Sequence, residues 1–265
     1  MKLERFFDFR NRGDVAKPFL SHLEDLRATL VKSALVLAAA MAGCFLFRDR
    51  IAAFVQRPLI DLDPQRAANL QSLGVADSFT ISLELAFYGG VVLAFPLMVL
   101  FFAEFVLPAL NAREKALILP GAVLGSVLFL LGAAFSYLVV LPQTLAFFFQ
   151  DARAMHWQPT WTVREYYSFT TQFVISFGLA FELPLVVLLL VKLEIVDHQT
   201  LRRTRAFALL LIFVFAAIIT PTSDILTLLL MGGPMYVLYE VCIGIAWLMR
   251  KKNAAAALPG PAGRK

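Results

Sequence analysis

Residues 85–107 read LAFYGGVVLAFPLMVLFFAEFVL, and Glu104 is the only charged residue among them. A helix rises about 1.5 Å per residue, so about 20 apolar residues cross a hydrocarbon core that is about 30 Å thick. This stretch is therefore long and apolar enough to span a membrane as a helix, with Pro96 inside it, and it decides the class of fold.

The composition of the whole chain shows the same bias. Of its 265 residues, 60% are hydrophobic and only 16% are charged, and the mean hydropathy is +0.75. A soluble domain carries about 25% charged residues, so this chain is not an ordinary soluble protein. The formal net charge of +5 is small. Disordered, collagen-like and nucleic-acid-binding proteins are therefore excluded as well, and we expect no nucleic acid among the partners.

Five further apolar runs predict that the chain is all-α and crosses the membrane six times. The third run is longer than a span requires, and we expect Pro142 to divide it into a helix and an interfacial extension. The fifth run has 15 residues, which as a helix measures about 22 Å, so it should thin the bilayer or end below its surface. In chain order, the six predicted spans are residues 28–47, 85–107, 116–150, 166–191, 206–220 and 225–249.

The positions of the basic residues predict the orientation. If the N-terminus is cytoplasmic, the cytoplasmic parts hold 18 of the 24 Lys and Arg residues and the outer loops hold 6. Cytoplasmic loops are enriched in Lys and Arg, so both termini are predicted to be cytoplasmic. We expect three segments: a polar N-terminus (1–17), a transmembrane domain with an interfacial N-terminal helix (18–249), and a disordered cytoplasmic tail (250–265).

The two cysteines are predicted to be unpaired. On this topology Cys44 lies near the outer end of the first span and Cys242 lies in the inner half of the sixth. A disulfide between them would have to cross most of the bilayer, so we expect two buried thiols. The first seventeen residues are polar and contain Asp8 and Asp14. They lack the apolar core of a signal peptide, and no cleavage is expected.

Sequence motifs of the common enzyme classes are missing. The sequence holds no GxxxxGK[ST] phosphate-binding loop and no HExxH, GxSxG or CxxC motif. We therefore expect no catalytic residues, no cofactor and no metal ion.

Four acids lie in or beside the apolar runs, and an ionisable residue within a membrane is a candidate functional residue. Glu182 is the deepest. Its carboxyl group should face a water-filled cavity, form a hydrogen bond with a polar partner or be protonated. A satisfied structural hydrogen bond between helices would also explain the presence of this acid. Glu104 is near the cytoplasmic end of the second span, and Glu240 is about three turns from that of the sixth. Glu84 begins the second span. The helix dipole stabilises a carboxylate at that position, so Glu84 needs no functional role to be there.

A second group of acids is predicted on the cytoplasmic face. Residues 18–27 read PFLSHLEDLR, and their apolar positions follow a helical stripe that should lie along the inner interface before turning into the first span. Glu24 and Asp25 project from its polar side, and Arg27 can pair with Glu24. Glu114 is placed in the short inner loop. Exposed carboxylates of this kind usually belong to a solvated surface without a specific role. They could also bind guanidinium groups through two parallel hydrogen bonds, in fork geometry.

With these residues the sequence resembles the TatC family, whose members are the multispanning receptor subunit of the twin-arginine protein translocase. The resemblance covers residues 18–249 and rests on five motifs in the family's order. They are FLSHLEDLR (19–27), FVLPAL (105–110) followed by Glu114, FELP (181–184), Thr220-Pro221 with Asp224, and PMY (234–236) with Glu240.

The resemblance implies a function that spacing alone does not supply. It implies a receptor for signal peptides with consecutive arginines, which exports folded proteins by using the proton gradient. The implied partners are those peptides, small single-span subunits of the TatA and TatB type, membrane lipid and further copies in an oligomeric complex. The implied location is the bacterial cytoplasmic (inner) membrane. The implied fold has short fifth and sixth helices and a concave face within the membrane.

The family's functional residues can be placed on this sequence one by one. The N-terminal acid falls on Asp25, and this residue is one methylene shorter than the usual Glu, which leaves open whether Glu24 shares its role. Arg27 closes the same motif. The loop acid falls on Glu114, and Ala112-Arg113 replaces the basic-His pair that often precedes it. The remaining implied positions are Phe105 before the inner loop, the membrane-embedded Glu182, Pro58 in the outer loop and the late outer acid Asp224.

Two other functions remain open. The first is a proton-coupled secondary transporter of a small solute, in which Glu182 titrates; the sequence shows no evident inverted repeat to support it. The second is a passive scaffold for partner assembly, which would need neither Asp25 nor Glu114.

Overall fold

The computed structural model describes residues 19–107, 112–157, 160–193, 196–219 and 224–256, and nearly all of them are helical. The all-α prediction is confirmed. The predicted N-terminal segment 1–17 lies outside the described residues. In chain order the elements are α1 (Phe19–Leu46), α2 (Arg48–Leu62), α3 (Pro64–Ala68), α4 (Asp77–Val106), α5 (Ala112–Phe135), a π-helix (Ser136–Val140), α6 (Leu141–Ala154), α7 (Val163–Ala180), α8 (Leu183–Lys192), α9 (His198–Arg203), α10 (Arg205–Ile219) and α11 (Ile225–Ala256).

Five helical segments of the described chain are long and apolar enough to cross a membrane. They are His22–Leu46, Asp77–Val106, Lys115–Ala154, Val163–Lys192 and Ile225–Leu248. The chain is therefore a multi-pass membrane protein. The predicted fifth span corresponds to α10, which is apolar and only 15 residues long, so its shortness is confirmed.

The predictions for the sixth helix and the tail need correction. The sixth helix is not short, because α11 has 32 residues and continues to Ala256. Residues 250–256, predicted to be disordered, are thus helical. They read RKKNAAA, in which Lys, Arg and Ala favour helix and neither Gly nor Pro interrupts it. Residues 257–265 lie outside the described part.

The predicted turn between an interfacial helix and the first span is also wrong. α1 is one uninterrupted helix of 28 residues. The Ala- and Leu-rich sequence that follows Arg27 contains no helix-breaking residue before Gly43, so the chain gains hydrogen bonds by continuing straight. α1 packs mainly against α4. Gly90 permits this close contact, since a Cβ there would lie 2.8 Å from Cγ of Met41.

The third span is divided slightly before the predicted position. α5 leads into the π-helix Ser136–Val140, and α6 follows with Pro142 in its first turn. The N–H of Leu141 donates to the carbonyl of Ser136, five residues back. Pro142 has no N–H and crowds the preceding turn, and the wider π-turn lets the helix continue past it.

The fourth span is broken near its centre. α7 ends at Ala180, and α8 begins at Leu183 with Pro184 in its first turn. The N–H of Glu182 donates to the carbonyl of Leu179 at 3.1 Å, three residues back. The break therefore places the carboxyl-bearing residue Glu182 at the start of α8.

The segment between the first two spans contains an amphipathic helix, α2. Its buried side consists of Val55, Pro58 and Leu59. Three tyrosine hydroxyls donate hydrogen bonds to its backbone carbonyls and hold it against the bundle: Tyr137 to Phe54 (2.5 Å), Tyr166 to Val55 (2.8 Å) and Tyr167 to Ala52 (3.3 Å).

Both cysteines are free and buried. The sulfur of Cys242 lies 3.8 Å from the carbonyl oxygen of Pro184, and Cys44 packs near Gly89. The prediction that they form no disulfide is therefore confirmed.

Candidate functional site

The start of α1 is fixed against the end of α4. The rings of His22 and Phe105 stack with centroids 4.5 Å apart and planes at 19°. Nearly three turns further along α1, Nζ of Lys32 lies 3.8 Å from a carboxylate oxygen of Glu104 and 5.9 Å from the ring centroid of Phe101. These contacts set the position of the FLSHLEDLR motif at this end of the bundle.

The two neighbouring acids of this motif face different directions. Residues 22, 25, 29 and 33 recur at helical spacing, and Thr29 and Ser33 are buried. Asp25 lies on this face and is partly buried, whereas Glu24 and Arg27 are exposed. The structure thus separates Asp25 from Glu24 and places Asp25 on the same face as His22.

Glu114 lies in the first turn of α5 and not in a loop, because α5 begins at Ala112. The side chain of Glu114 is not among those that the structure describes. Residues 108–111, which join α4 to α5, also lie outside the described part of the chain. α4 and α5 pack against each other, and so short a connection makes them antiparallel. The start of α5 therefore lies at the same end of the bundle as Phe105 and the start of α1.

Glu182 lies at the break between α7 and α8, beside α5. Gly125 of α5 makes room for it, since a Cβ there would lie 3.0 Å from Oε2 of Glu182. Oε1 of Glu182 is buried and has no hydrogen-bond partner within the described part of the chain. Lys192 ends α8 ten residues later, so the carboxylate lies about 15 Å along the span, close to the middle of a hydrocarbon core.

Glu240 joins the last two helices. Its Oε2 accepts a hydrogen bond from the Arg205 guanidinium at 2.7 Å, and its Oε1 accepts one from the Tyr236 hydroxyl at 3.0 Å. Arg205 begins α10 and Glu240 lies within α11, so this ion pair ties the short helix to the long one.

The prediction that Glu84 begins the second span is wrong. α4 begins at Asp77, so Glu84 lies two turns inside it. Its Oε2 accepts a hydrogen bond from the Ser168 hydroxyl of α7 at 2.7 Å. Residues 77–84 thus extend the helix beyond the apolar run. Asp77 is an acid in the first turn, which the helix dipole favours, and its carboxylate also accepts the Gly74 N–H at 2.6 Å.

Asp224 lies directly before α11, and Pro58 lies inside α2. The Oδ1 of Asp224 accepts the N–H of Thr227, and its Oδ2 accepts the Thr227 hydroxyl, both at 2.7 Å. Asp224 therefore caps α11. Pro58 is buried inside α2.

The sequence did not reveal the polar residues around Pro58. Arg57, Asp61 and Tyr137 line a cavity next to it, together with apolar side chains. One signal was available: Pro58 has no N–H, so the carbonyl of Phe54 loses its usual helix partner. That signal identifies the acceptor and not the donor, Tyr137, which lies 83 residues away.

Comparisons with known proteins agree with these motifs. The family described as Sec-independent protein translocase protein (TatC) matches residues 21–234. TatC of Akkermansia muciniphila is 42% identical over 179 residues, which cover 68% of this chain and only 51% of that protein. The match thus spans about half the length of that relative. TatC of Koribacter versatilis is 33% identical over 240 residues, covering 89% of this chain and 87% of that protein.

A solved structure shares the fold. The crystal structure of the "Twin Arginine Translocase Receptor- TatC" superposes with a TM-score of 0.75 at 30% identity, over 86% of this chain and 98% of that one. Since the family match covers most of the chain and the solved relative shares its helical architecture, the protein belongs to the TatC family of Sec-independent protein translocase proteins.

Proposed function

We propose that this protein is the twin-arginine signal-peptide receptor and the core subunit of a translocase that exports folded proteins by using the proton gradient. The observation that carries the proposal is the placement of Asp25, partly buried on the face of α1 where His22 stacks on Phe105. Membership of the TatC family and the likeness to a crystal structure of a twin-arginine translocase receptor support it.

The peptide site is proposed to consist of Asp25 and Glu114, with Phe105 between them. An arginine pair brings two guanidinium groups, and each is bound best by a carboxylate in bidentate geometry. His22, three residues before Asp25 on the same face of α1, stacks on Phe105, and Glu114 is in the first turn of the next helix. Glu24 and Arg27 are exposed, so they form the rim and Asp25 is the main acid on α1.

Glu182 is proposed to bind a polar side chain from the helix of a TatA- or TatB-type subunit. Its Oε1 has no partner among the described residues, and an unsatisfied polar group within a membrane is costly. A hydrogen bond from a neighbouring helix would relieve that cost. Gly125 lets the other oxygen, Oε2, pack against α5.

The membrane arrangement completes the proposal. α10 is taken as the fifth of six spans, with both termini cytoplasmic in the bacterial inner membrane and several copies in one complex. The 18-to-6 distribution of basic residues supports this orientation. Pro58 and Asp224 are proposed to act on the opposite surface by shaping α2 and capping α11.

The test is binding of a labelled signal peptide to the purified protein in detergent. A peptide with Arg-Arg should bind and its Lys-Lys counterpart should bind much more weakly. Asp25→Ala and Glu114→Ala should each weaken binding at least about tenfold, because a charged hydrogen bond contributes about 1.5–3 kcal/mol. Glu24→Ala is the matched control and should change binding little. Wild-type affinity in the Asp25→Ala, Glu114→Ala double variant would refute the site and would favour the scaffold function.

The buried Oε1 of Glu182, which has no hydrogen-bond partner among the described residues, also fits a proton-coupled transporter. Glu182→Gln distinguishes the two functions. In the translocase it should leave peptide binding intact and abolish crosslinking to a single-span subunit. In a transporter it should abolish solute-driven proton uptake into vesicles, and no crosslinking to such a subunit would be seen in the wild type.

A further inference from the structure

An open cavity of about 440 Å³ lies between α2 and the π-helical turn of the third span. This size is within the range of small-molecule sites, about 300–1,000 Å³. Arg57 and Asp61 contribute charge to its lining, Tyr137 contributes a hydroxyl and ring, and Phe54 and Leu138 contribute apolar surface. The lining of the cavity therefore combines charged, polar and apolar side chains.

The depth of this cavity is set by the length of the third span. Tyr137 lies 22 residues after Lys115, where the apolar segment starts, and a helix of that length measures about 33 Å, close to the thickness of a hydrocarbon core. Tyr137 thus lies at the membrane surface opposite to the start of α5. Leu138 is 70% exposed and faces the region where lipid chains begin.

The charged residues of the cavity form a complementary pair for a zwitterion. Arg57 and Asp61 are both exposed and stand one turn apart on α2. Among the described residues no ion pair joins them, and the Arg57 guanidinium lies 6.0 Å from the ring centroid of Phe54. A ligand with a phosphate and an ammonium group a few ångströms apart would match both charges.

We propose that this cavity binds the headgroup of a phospholipid of the phosphatidylethanolamine type. The phosphate contacts Arg57, the ammonium contacts Asp61, and one acyl chain leaves along Leu138 into the bilayer. Arg57 provides bidentate donors for phosphate oxygens, and Asp61 accepts hydrogen bonds from the primary amine. An anionic headgroup that lacks the amine, such as phosphatidylglycerol, leaves Asp61 unmatched and binds more weakly.

The experiment is lipid binding to the purified full-length protein, measured by native mass spectrometry after delipidation and addition of one lipid at a time. The wild type should retain phosphatidylethanolamine at least fivefold better than phosphatidylglycerol. Arg57→Gln should reduce retention of both lipids. Asp61→Asn should reduce retention of phosphatidylethanolamine and leave that of phosphatidylglycerol unchanged or increased. Neither measurement needs a signal peptide or a partner subunit.

Matched controls are available on the same helix. Arg50→Gln removes an exposed arginine that packs on Phe47, outside the cavity lining, and should leave lipid retention unchanged. Arg57→Lys keeps the positive charge and should restore part of the binding, which separates a charge effect from misfolding. Equal retention of the two lipids, or equal effects of Arg50→Gln and Arg57→Gln, would overturn the proposal. Variant effects seen only with a single-span partner present would overturn it too and would assign the cavity to a protein helix.

Discussion

The hydroxyl of Tyr137 donates a hydrogen bond of 2.5 Å to the backbone carbonyl of Phe54. That carbonyl lies four residues before Pro58, which has no N–H to offer it. The stacked rings of the two residues, with centroids 4.5 Å apart, hold the donor in place. A side chain of the third span thus supplies the partner that the proline withholds, and this links α2 to the transmembrane bundle.

We expect Tyr137→Phe to lower the free energy of unfolding by about 0.5–1.5 kcal/mol, the usual net contribution of one hydrogen bond. The measurement is unfolding of the purified protein in mixed micelles titrated with a denaturing detergent. The effect should shrink in a Pro58→Ala background, where residue 58 supplies an N–H. Equal losses in both backgrounds would mean that the Tyr137 hydroxyl does not compensate for Pro58.

Gly125→Ala should disturb Glu182. The new Cβ would lie 2.8 Å from Cδ2 of Leu185 and 3.0 Å from Oε2 of Glu182, so both side chains must move. Overpacking costs about 1–3 kcal/mol, only partly offset by the higher helix propensity of Ala. Gly121→Ala is the control one turn earlier, because its Cβ would meet only Leu189 at 3.9 Å. It should be neutral or stabilising by up to about 1 kcal/mol. Equal unfolding midpoints for the two variants would contradict the predicted crowding.

The Arg205–Glu240 ion pair should couple α10 to α11. Glu240→Gln and Arg205→Gln should each destabilise the protein, and the double variant should lose less than the sum of the two. Both side chains are partly exposed, at 43% and 32%, so we expect a coupling energy of at most about 1 kcal/mol. Tyr236→Phe removes only the hydroxyl bound to Glu240 and serves as the comparison. Strictly additive losses in a double-mutant cycle would show that the pair contributes nothing.

Asp224→Ala should loosen the first turn of α11. It removes both acceptors of Thr227, and loss of an N-cap costs about 0.5–2 kcal/mol. Hydrogen exchange at the Thr227 amide is the direct measurement and should become faster. Asp224→Asn keeps one acceptor oxygen and should largely preserve protection, whereas Thr227→Val removes only the hydroxyl contact. Unchanged exchange in Asp224→Ala would show that the cap does not hold this turn.

The length and apolarity of the spans could be read from the sequence because both depend on composition over about 20 residues. The run around Leu85 and the short helix before Thr220 are examples. The ends of helices were predicted less well, since they depend on local capping. The sequence predicts a helix start at Glu84, but that helix begins at Asp77, an acid in the first turn whose carboxylate also binds the Gly74 N–H.

The candidate site was predictable only in part. Asp25, Phe105 and Glu182 could be singled out by motif, but the direction in which neighbouring side chains point depends on packing. Asp25 and Glu24 are adjacent in sequence and differ in exposure because α4 covers only one face of α1. Contacts such as that between Tyr137 and Phe54 join distant parts of the chain, and no local pattern encodes them.

The π-helical turn at Ser136–Val140 changes the direction in which the side chains after it point around the helix axis. In a regular α-helix, two residues five positions apart point about 140° away from each other. Tyr137 and Pro142 are five apart, yet both line the cavity beside α2. The wider turn brings them to the same side. One residue fewer between 136 and 140 would rotate α6 by about 100° and would expose its buried side chains, among them Thr144 and Phe149, to lipid. The register of this helix, as much as any side chain, thus determines which surface the outer half of the third span presents.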